Sequence, residues 1–211
     1  MREKTVQTGK INYARLMWDE FERLKSENIT PKLLLHCCCA PCSSAVLEVV
    51  NNHFIITPYF YNPNISPKEE YDHRAAELVR LVGEMGKLTA NSPIIEDYDY
   101  SDFESIAKGL EKAPEGGERC FKCYRMRLTK TAEYAKKHGF DYFCTTLSIS
   151  PLKNAAKLNE IGAEVAEQVG VKYLYSDFKK NEGYKRSIEL SREHSLYRQN
   201  FCGCVYSKNK Q

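Results

Sequence analysis

The chain has 211 residues, of which 42% are hydrophobic and 28% charged; this excludes a disordered or fibrous protein and gives one domain of ordinary size with room for a short extension. Its net charge of +3 makes no overall case for nucleic acid, although a local basic patch stays open. No apolar run approaches the roughly 18 residues of a membrane span, and MREKTVQTGKINYARLMWDEF holds no stretch that would serve as a signal peptide, so the expected compartment is the cytoplasm.

Residues 11–27 set Leu16, Phe21 and Leu24 among charges at helical spacing and predict an amphipathic helix closed by Thr30-Pro31. Residues 32–36 read as a strand that stops at a run of cysteines, and 43–50 as the helix that follows. The β-branched and aromatic run 53–61 is a second strand, ending in the turn Asn62-Pro63-Asn64 and leading to a helix over 67–82. A short strand at 93–95, a short helix at 101–110 and a loop at 114–117 deliver Cys120 to a long helix over 120–138. A strand at 141–144, a polar segment at 145–151, a helix over 154–169, a strand at 171–175 and a helix over 183–194 complete the pattern. Alternating β and α predicts an open, mostly parallel α/β sheet flanked by helices, with residues 1–30 as a helical extension and 31–211 as the catalytic domain. Ligands sit beyond the carboxyl ends of such strands, where Cys37 to Cys42, Tyr61 to Asn64 and Thr145 to Ser150 would converge.

Nine cysteines in a reducing compartment speak for metal or redox chemistry rather than structural disulfides. Eight of them are grouped, as Cys37, Cys38, Cys39 and Cys42, as Cys120 and Cys123, and as Cys202 and Cys204; Cys144, on a buried strand, reads as a small hydrophobe. The spacing of Cys120 and Cys123 puts both sulfurs on one face at a helix start, near unpaired amides that favour thiolates. Zinc, an iron–sulfur cluster and a dithiol all use such a pair. Two sulfurs from His36-Cys37-Cys38-Cys39-Ala40-Pro41-Cys42 would complete four thiolates, which suit structural zinc or a [4Fe–4S] cluster. In Cys202-Gly203-Cys204 a disulfide would close a very small ring, and a strained, exposed bridge behaves as an electron carrier. Two further metal ligands, or a flexible tail with no role, are the alternatives there.

The stretches LLLHCCCAPCSSAVLE (33–48), PYFYNPNI (58–65), GGERCFKCYRMRL (116–128), FDYFCTTLSISPLKN (140–154) and GYKRSIELSREHSLYRQNFCGCVYS (183–207) resemble the cobalamin-independent epoxyqueuosine reductases of the QueH type. The resemblance runs from about Lys32 to Ser207. It implies an α/β fold similar to the adenine nucleotide α-hydrolases and reductive removal of the epoxide oxygen of epoxyqueuosine in a tRNA anticodon, giving queuosine. It also implies a [4Fe–4S] cluster held by Cys38, Cys39, Cys120 and Cys123, with Cys37 at a variable position. A second, mononuclear iron is implied, for which Cys42 is the candidate ligand, and Cys202 and Cys204 would be the redox-active pair. Turning an epoxide into an alkene takes two electrons and two protons, which a dithiol can pass on, while a Lewis-acidic iron would polarise the epoxide oxygen.

No dinucleotide fingerprint or P-loop is present, so electrons must come from a separate donor. Lys122, Arg125 and Arg127 on the CxxC helix, and Lys179, Lys180, Lys185, Arg186, Arg192 and Arg198 further on, are candidate tRNA phosphate contacts, with Tyr184 and Tyr197 as stacking partners. Tyr61, Asn62 and Asn64 form a turn that would line the pocket and meet the base or its cyclopentane diol. Asn154 is expected to cap a helix, and His36 and Asp141 to be structural. A zinc-stabilised RNA-binding module without redox activity would use the same four thiolates, and a nucleotide-activating enzyme of this class would need the pyrophosphate loop that HCCCAPC replaces.

Overall fold

A computed structural model describes residues 11–86 and 91–208; residues 1–10 of the expected extension and 87–90 and 209–211 of the expected catalytic domain lie outside the described residues. In chain order the elements are α1 (Tyr13–Ser26), β1 (Lys32–His36), α2 (Ala40–Val50), β2 (Ile55–Phe60), α3 (Lys68–Met85), β3 (Ile94–Ile95), α4 (Ser101–Ala107), α5 (Glu118–Lys137), β4 (Tyr142–Thr145), a 3-10 turn (Thr146–Ile149), α6 (Ala155–Val169), β5 (Lys172–Tyr173), α7 (Gly183–Glu193) and α8 (Val205–Lys208).

The sheet runs β3-β2-β1-β4-β5 with every pair parallel, as the alternation predicts. The chain walks outward from β1 to β3 and then crosses back to lay β4 on the other side of β1, with Leu33 level with both Ile56 and Tyr142. The carboxyl ends of β1 and β4 therefore flank the point where the strand order reverses, the crevice where open α/β sheets bind ligands.

Leu33, Leu34 and Leu35 are all fully buried because β1 is central and covered on both faces, so a continuous apolar run replaces alternation. Leu33 and Leu35 join one core with Phe21, Val46, Leu78 and Leu190, whereas Leu34 joins another with Leu128, Leu158 and Phe143. Each fully buried leucine contributes roughly 1.5–3 kcal/mol. The sheet edge is tight as well, since a Cβ on Gly162 of α6 would meet the Tyr173 ring at 2.4 Å.

Two local expectations are corrected. Leu16 is 40% exposed, and Met17, 3% exposed, takes its place in the core, because 17, 21 and 24 keep the four-three spacing of one helix face. Helix α2 begins at Ala40 rather than at residue 43, since Pro41 fits a first helical turn. Cys39 becomes its N-cap and Cys42 lies inside its first turn.

Candidate active site

The sulfurs of Cys38, Cys39 and Cys42 lie within 4.8 Å of one another, and Cys38 and Cys39 are 3.8 Å apart. The fold explains the convergence. Residues 37–39 leave the carboxyl end of β1, and Cys42 points back from the start of α2, where unpaired amides favour negative charge. Hydrogen bonds from Cys39 and Cys42, with that of Thr146, hold the Cys38 thiol well below its ordinary pKa despite burial. Cys39 is correspondingly pushed up to about 12, chiefly by Cys38. One thiolate stabilised by two neighbouring thiols is a ready donor set for a soft metal ion.

Cys37 turns the other way. It is fully buried, donates to the Leu35 carbonyl at 3.3 Å and is pushed up to about 12 by burial, so it packs as a core residue. His36 is also buried, between Thr145 Oγ1 at 2.9 Å and the Tyr61 carbonyl at 3.1 Å. Burial lowers its pKa to about 3 and keeps the ring neutral. Asp141 accepts from the Lys32 amide at 2.8 Å, and Asn154 caps α6 by accepting from the Lys157 amide at 3.0 Å. These three have the structural roles expected of them.

A cavity of about 550 Å³ opens over the trio. Cys38, Cys39 and Cys42 form one side, and residues 198–202 with Ser207 form another. Cys202 lines the cavity, whereas Cys204 is buried beside Phe103, Ala107 and Cys123 and is pushed up to about 12 by burial. Both are free thiols. The turn between them docks on the Asn62–Ile65 loop: Ser66 donates to the Gly203 carbonyl at 3.0 Å, Arg74 to the Cys202 carbonyl at 3.1 Å, and the Asn64 amide lies 4.0 Å from the Cys202 sulfur.

Cys120 and Cys123 stand outside the 4.8 Å trio. Cys120 accepts from the Gly116 amide at 3.2 Å and packs against the same apolar cluster as Cys38; Cys123 is buried in the cluster that holds Cys204. A cluster of four irons is wider than one ion, so its thiolates need not crowd as those of the trio do. The donor set fits an iron–sulfur centre in its chemistry, four soft sulfur ligands at two helix starts; Cys120 and Cys123 do not line the cavity, whereas buried Arg127 and Lys153 line it with Cys38 and Cys39.

The candidate nucleic-acid contacts divide. Arg127 is only 2% exposed and donates to Asn62 at 3.0 Å, so a phosphate contact on an outer helix face is not available to it. Arg125 pairs with Glu164, Lys185 with Glu182 at 3.1 Å, and Arg186 with both oxygens of Glu48 at 2.9 Å as well as with Glu193. Tyr61 donates to Asp102 at 2.6 Å, and Asn62 to the Cys37 carbonyl at 2.9 Å. Tyr184 and Arg198 line the cavity with the guanidinium 5.4 Å from the ring, but Tyr197 is engaged by Glu70 and His73 instead. Sequence reasoning missed Arg74 altogether. Its only local signal is Glu70 one turn earlier, which it contacts at 2.7 Å.

A family model described as epoxyqueuosine reductase QueH matches residues 33–210. The chain belongs to that family. It is 45% identical over 204 residues to the epoxyqueuosine reductase QueH of Streptococcus pyogenes serotype M1, covering 96% of this chain and 80% of that protein. Identity to the one of Staphylococcus epidermidis is 44%, covering 98% and 88%. To the one of Thermotoga maritima it is 36%, covering 83% and 89%. Membership makes the chain an oxidoreductase, and no helix among the described residues is long and apolar enough to cross a membrane.

Proposed function

We propose that this chain reduces epoxyqueuosine in a tRNA anticodon to queuosine, and that Cys38, Cys39, Cys120 and Cys123 hold a [4Fe–4S] cluster, with Cys42 as a ligand to a second iron. The observation that carries this reading is the meeting of the Cys38, Cys39 and Cys42 trio with Cys202 around one cavity in a chain of the QueH family. When bound, the iron centre would supply one-electron transfer and Lewis acidity.

The residues account for the rest. A cavity of about 550 Å³ takes a single nucleoside, which suits a base splayed from an anticodon loop better than a duplex. Tyr184 gives that base a face to stack on and Arg198 a cation near its phosphate. Reduction breaks both C–O bonds of the epoxide and forms one C=C bond. Two electrons and two protons from the thiols of Cys202 and Cys204 balance it, leaving their disulfide and water. Cys202 faces the cavity and Cys204 lies behind it, so the first is the thiol nearer substrate. A separate donor, unidentified, then reduces the disulfide.

The test is anaerobic purification with iron and sulfide analysis, followed by turnover of tRNA carrying epoxyqueuosine with a chemical reductant. A brown protein that forms queuosine is expected. A colourless, zinc-loaded protein that binds tRNA without turnover would replace this reading with a zinc-stabilised RNA-binding module.

A further inference from the structure

Among the described residues, four cationic side chains are buried: Arg74, Arg119, Arg127 and Lys153. Two have a carboxylate and the third three carbonyls, although Nη2 of Arg74 and Nε of Arg119 lack a hydrogen-bond acceptor. Arg74 donates to Glu70 at 2.7 Å, Lys153 lies 3.5 Å from Glu115, and Arg119 donates to the carbonyls of Leu110, Glu111 and Ala113. Arg127 differs. Nη1 donates to Asn62 at 3.0 Å, but buried Nε and Nη2 have no partner.

A guanidinium cannot shed its proton, and a buried charge without a counter-ion is costly. Burial works against its charge, and the groups that favour the charged form are the thiols of Cys123, Cys202 and Cys38 and the phenol of Tyr124. Asn62 fixes its aim, because the same side-chain amide donates at 2.9 Å to the Cys37 carbonyl, on the loop that carries Cys38. The side chain also lines the cavity with Cys38 and Cys202.

We propose that Arg127 is a positioning residue whose guanidinium is the counter-ion of the cluster's thiolates at Cys38 and Cys123, and that it raises the reduction potential of the iron centre they hold. This rests on the iron–sulfur reading above. A thiolate-bound cluster gains negative charge when reduced, so a fixed cation in a low-dielectric interior stabilises the reduced form, and N–H donors to sulfur act in the same direction. Lys153 bears on Cys202 and Cys123, but Glu115 at 3.5 Å offsets its charge.

The experiment compares Arg127→Met, Arg127→Gln and Arg127→Lys with the wild type by iron and sulfide content, anaerobic redox titration and thermal unfolding of the metal-free proteins. Both neutral variants should keep the cluster and become at least tenfold harder to reduce, a shift of about 59 mV to lower potential for a one-electron couple. Lysine should return most of that shift. Metal-free Arg127→Met should unfold within about 4 °C of the wild type, the equivalent of roughly 1 kcal/mol in a chain this size, because the residue lost there is an unmatched charge. A neutral variant that keeps both cluster and potential would overturn the proposal, as would metal-free variants that fail to fold. A wild-type chain that assembles no cluster would overturn the iron–sulfur reading itself and this inference with it.

Discussion

The hydroxyl of Thr146 bridges the backbone and the sulfur of Cys38, accepting the Cys38 N–H at 3.3 Å and lying 3.6 Å from Sγ. It joins the carboxyl ends of β4 and β1 across the reversal in strand order, so the sheet itself orients the thiolate. Replacing Thr146 with Val keeps the shape and removes both contacts. Iron affinity, read by competition with a chelator, should fall about 10- to 100-fold, as for other groups that orient metal ligands, while Thr146→Ser should bind as the wild type does. Equal affinity in the valine variant would show that Cys38 is oriented by its loop alone.

Cys144 provides the contrast to Cys42. Burial pushes its pKa up to about 12, and the thiol donates to the Leu174 carbonyl at 3.3 Å, away from the trio. Cys144→Ala should leave iron content unchanged, and native Cys144 should resist alkylation until the chain unfolds. Cys42→Ser should lose iron without losing the fold. Iron loss in the Cys144 variant would redraw the ligand set.

Gly203 is held at φ +96°, and a Cβ there would meet Ile65 at 2.9 Å and Arg74 at 3.1 Å. Gly203→Ala should lift the Cys202–Cys204 turn off the Asn62–Ile65 loop. The expected result is a stability loss of about 1 kcal/mol or more and, with it, a loss of multiple turnover at unchanged iron content. Urea unfolding and single- against multiple-turnover assays check the two halves separately.

Glu20 ties α1 to β4. It accepts from Arg23 at 2.8 Å and from the Tyr142 hydroxyl at 2.5 Å, and these bonds, Arg23 first, hold its carboxyl below the ordinary 4.5. A depressed acid pKa stabilises the fold above the unfolded value and loses that contribution as pH falls through this range. Glu20→Gln should therefore be less stable than the wild type at pH 7, by about 0.5 kcal/mol for a partly exposed pair, with the gap closing below pH 4.5. A gap that persists at low pH would assign the effect to packing.

The parts of the fold legible in advance were those with a local signature. The Leu33–Leu35 run marks a central strand, and the clustered cysteines mark chemistry beyond it. Cys42 inside a helix was less visible, because Pro41 reads equally as a loop residue and as a helix start. Helix α8 spans four residues, too few for a period to show. The burial of Arg127 could not be read at all: the residue that holds it, Asn62, lies 65 positions earlier. Nor could the split between Cys202 and Cys204 be foreseen, since it is imposed by docking against Ile65 and Arg74 rather than by the two cysteines themselves.

The cavity takes one side from Cys38, Cys39 and Cys42 and another, much later in the sequence, from residues 198–202 with Ser207. Synthesis runs from the amino end, so Cys38, Cys39 and Cys42 are made well before the residues that wall them in. Synthesis thus leaves an interval in which metal can reach the thiolates without passing through a finished enclosure, and in which oxidants can reach them too. Delivery of iron and synthesis of residues 198–207 would then compete, which makes the timing of cofactor loading a property of the order in which the walls are made.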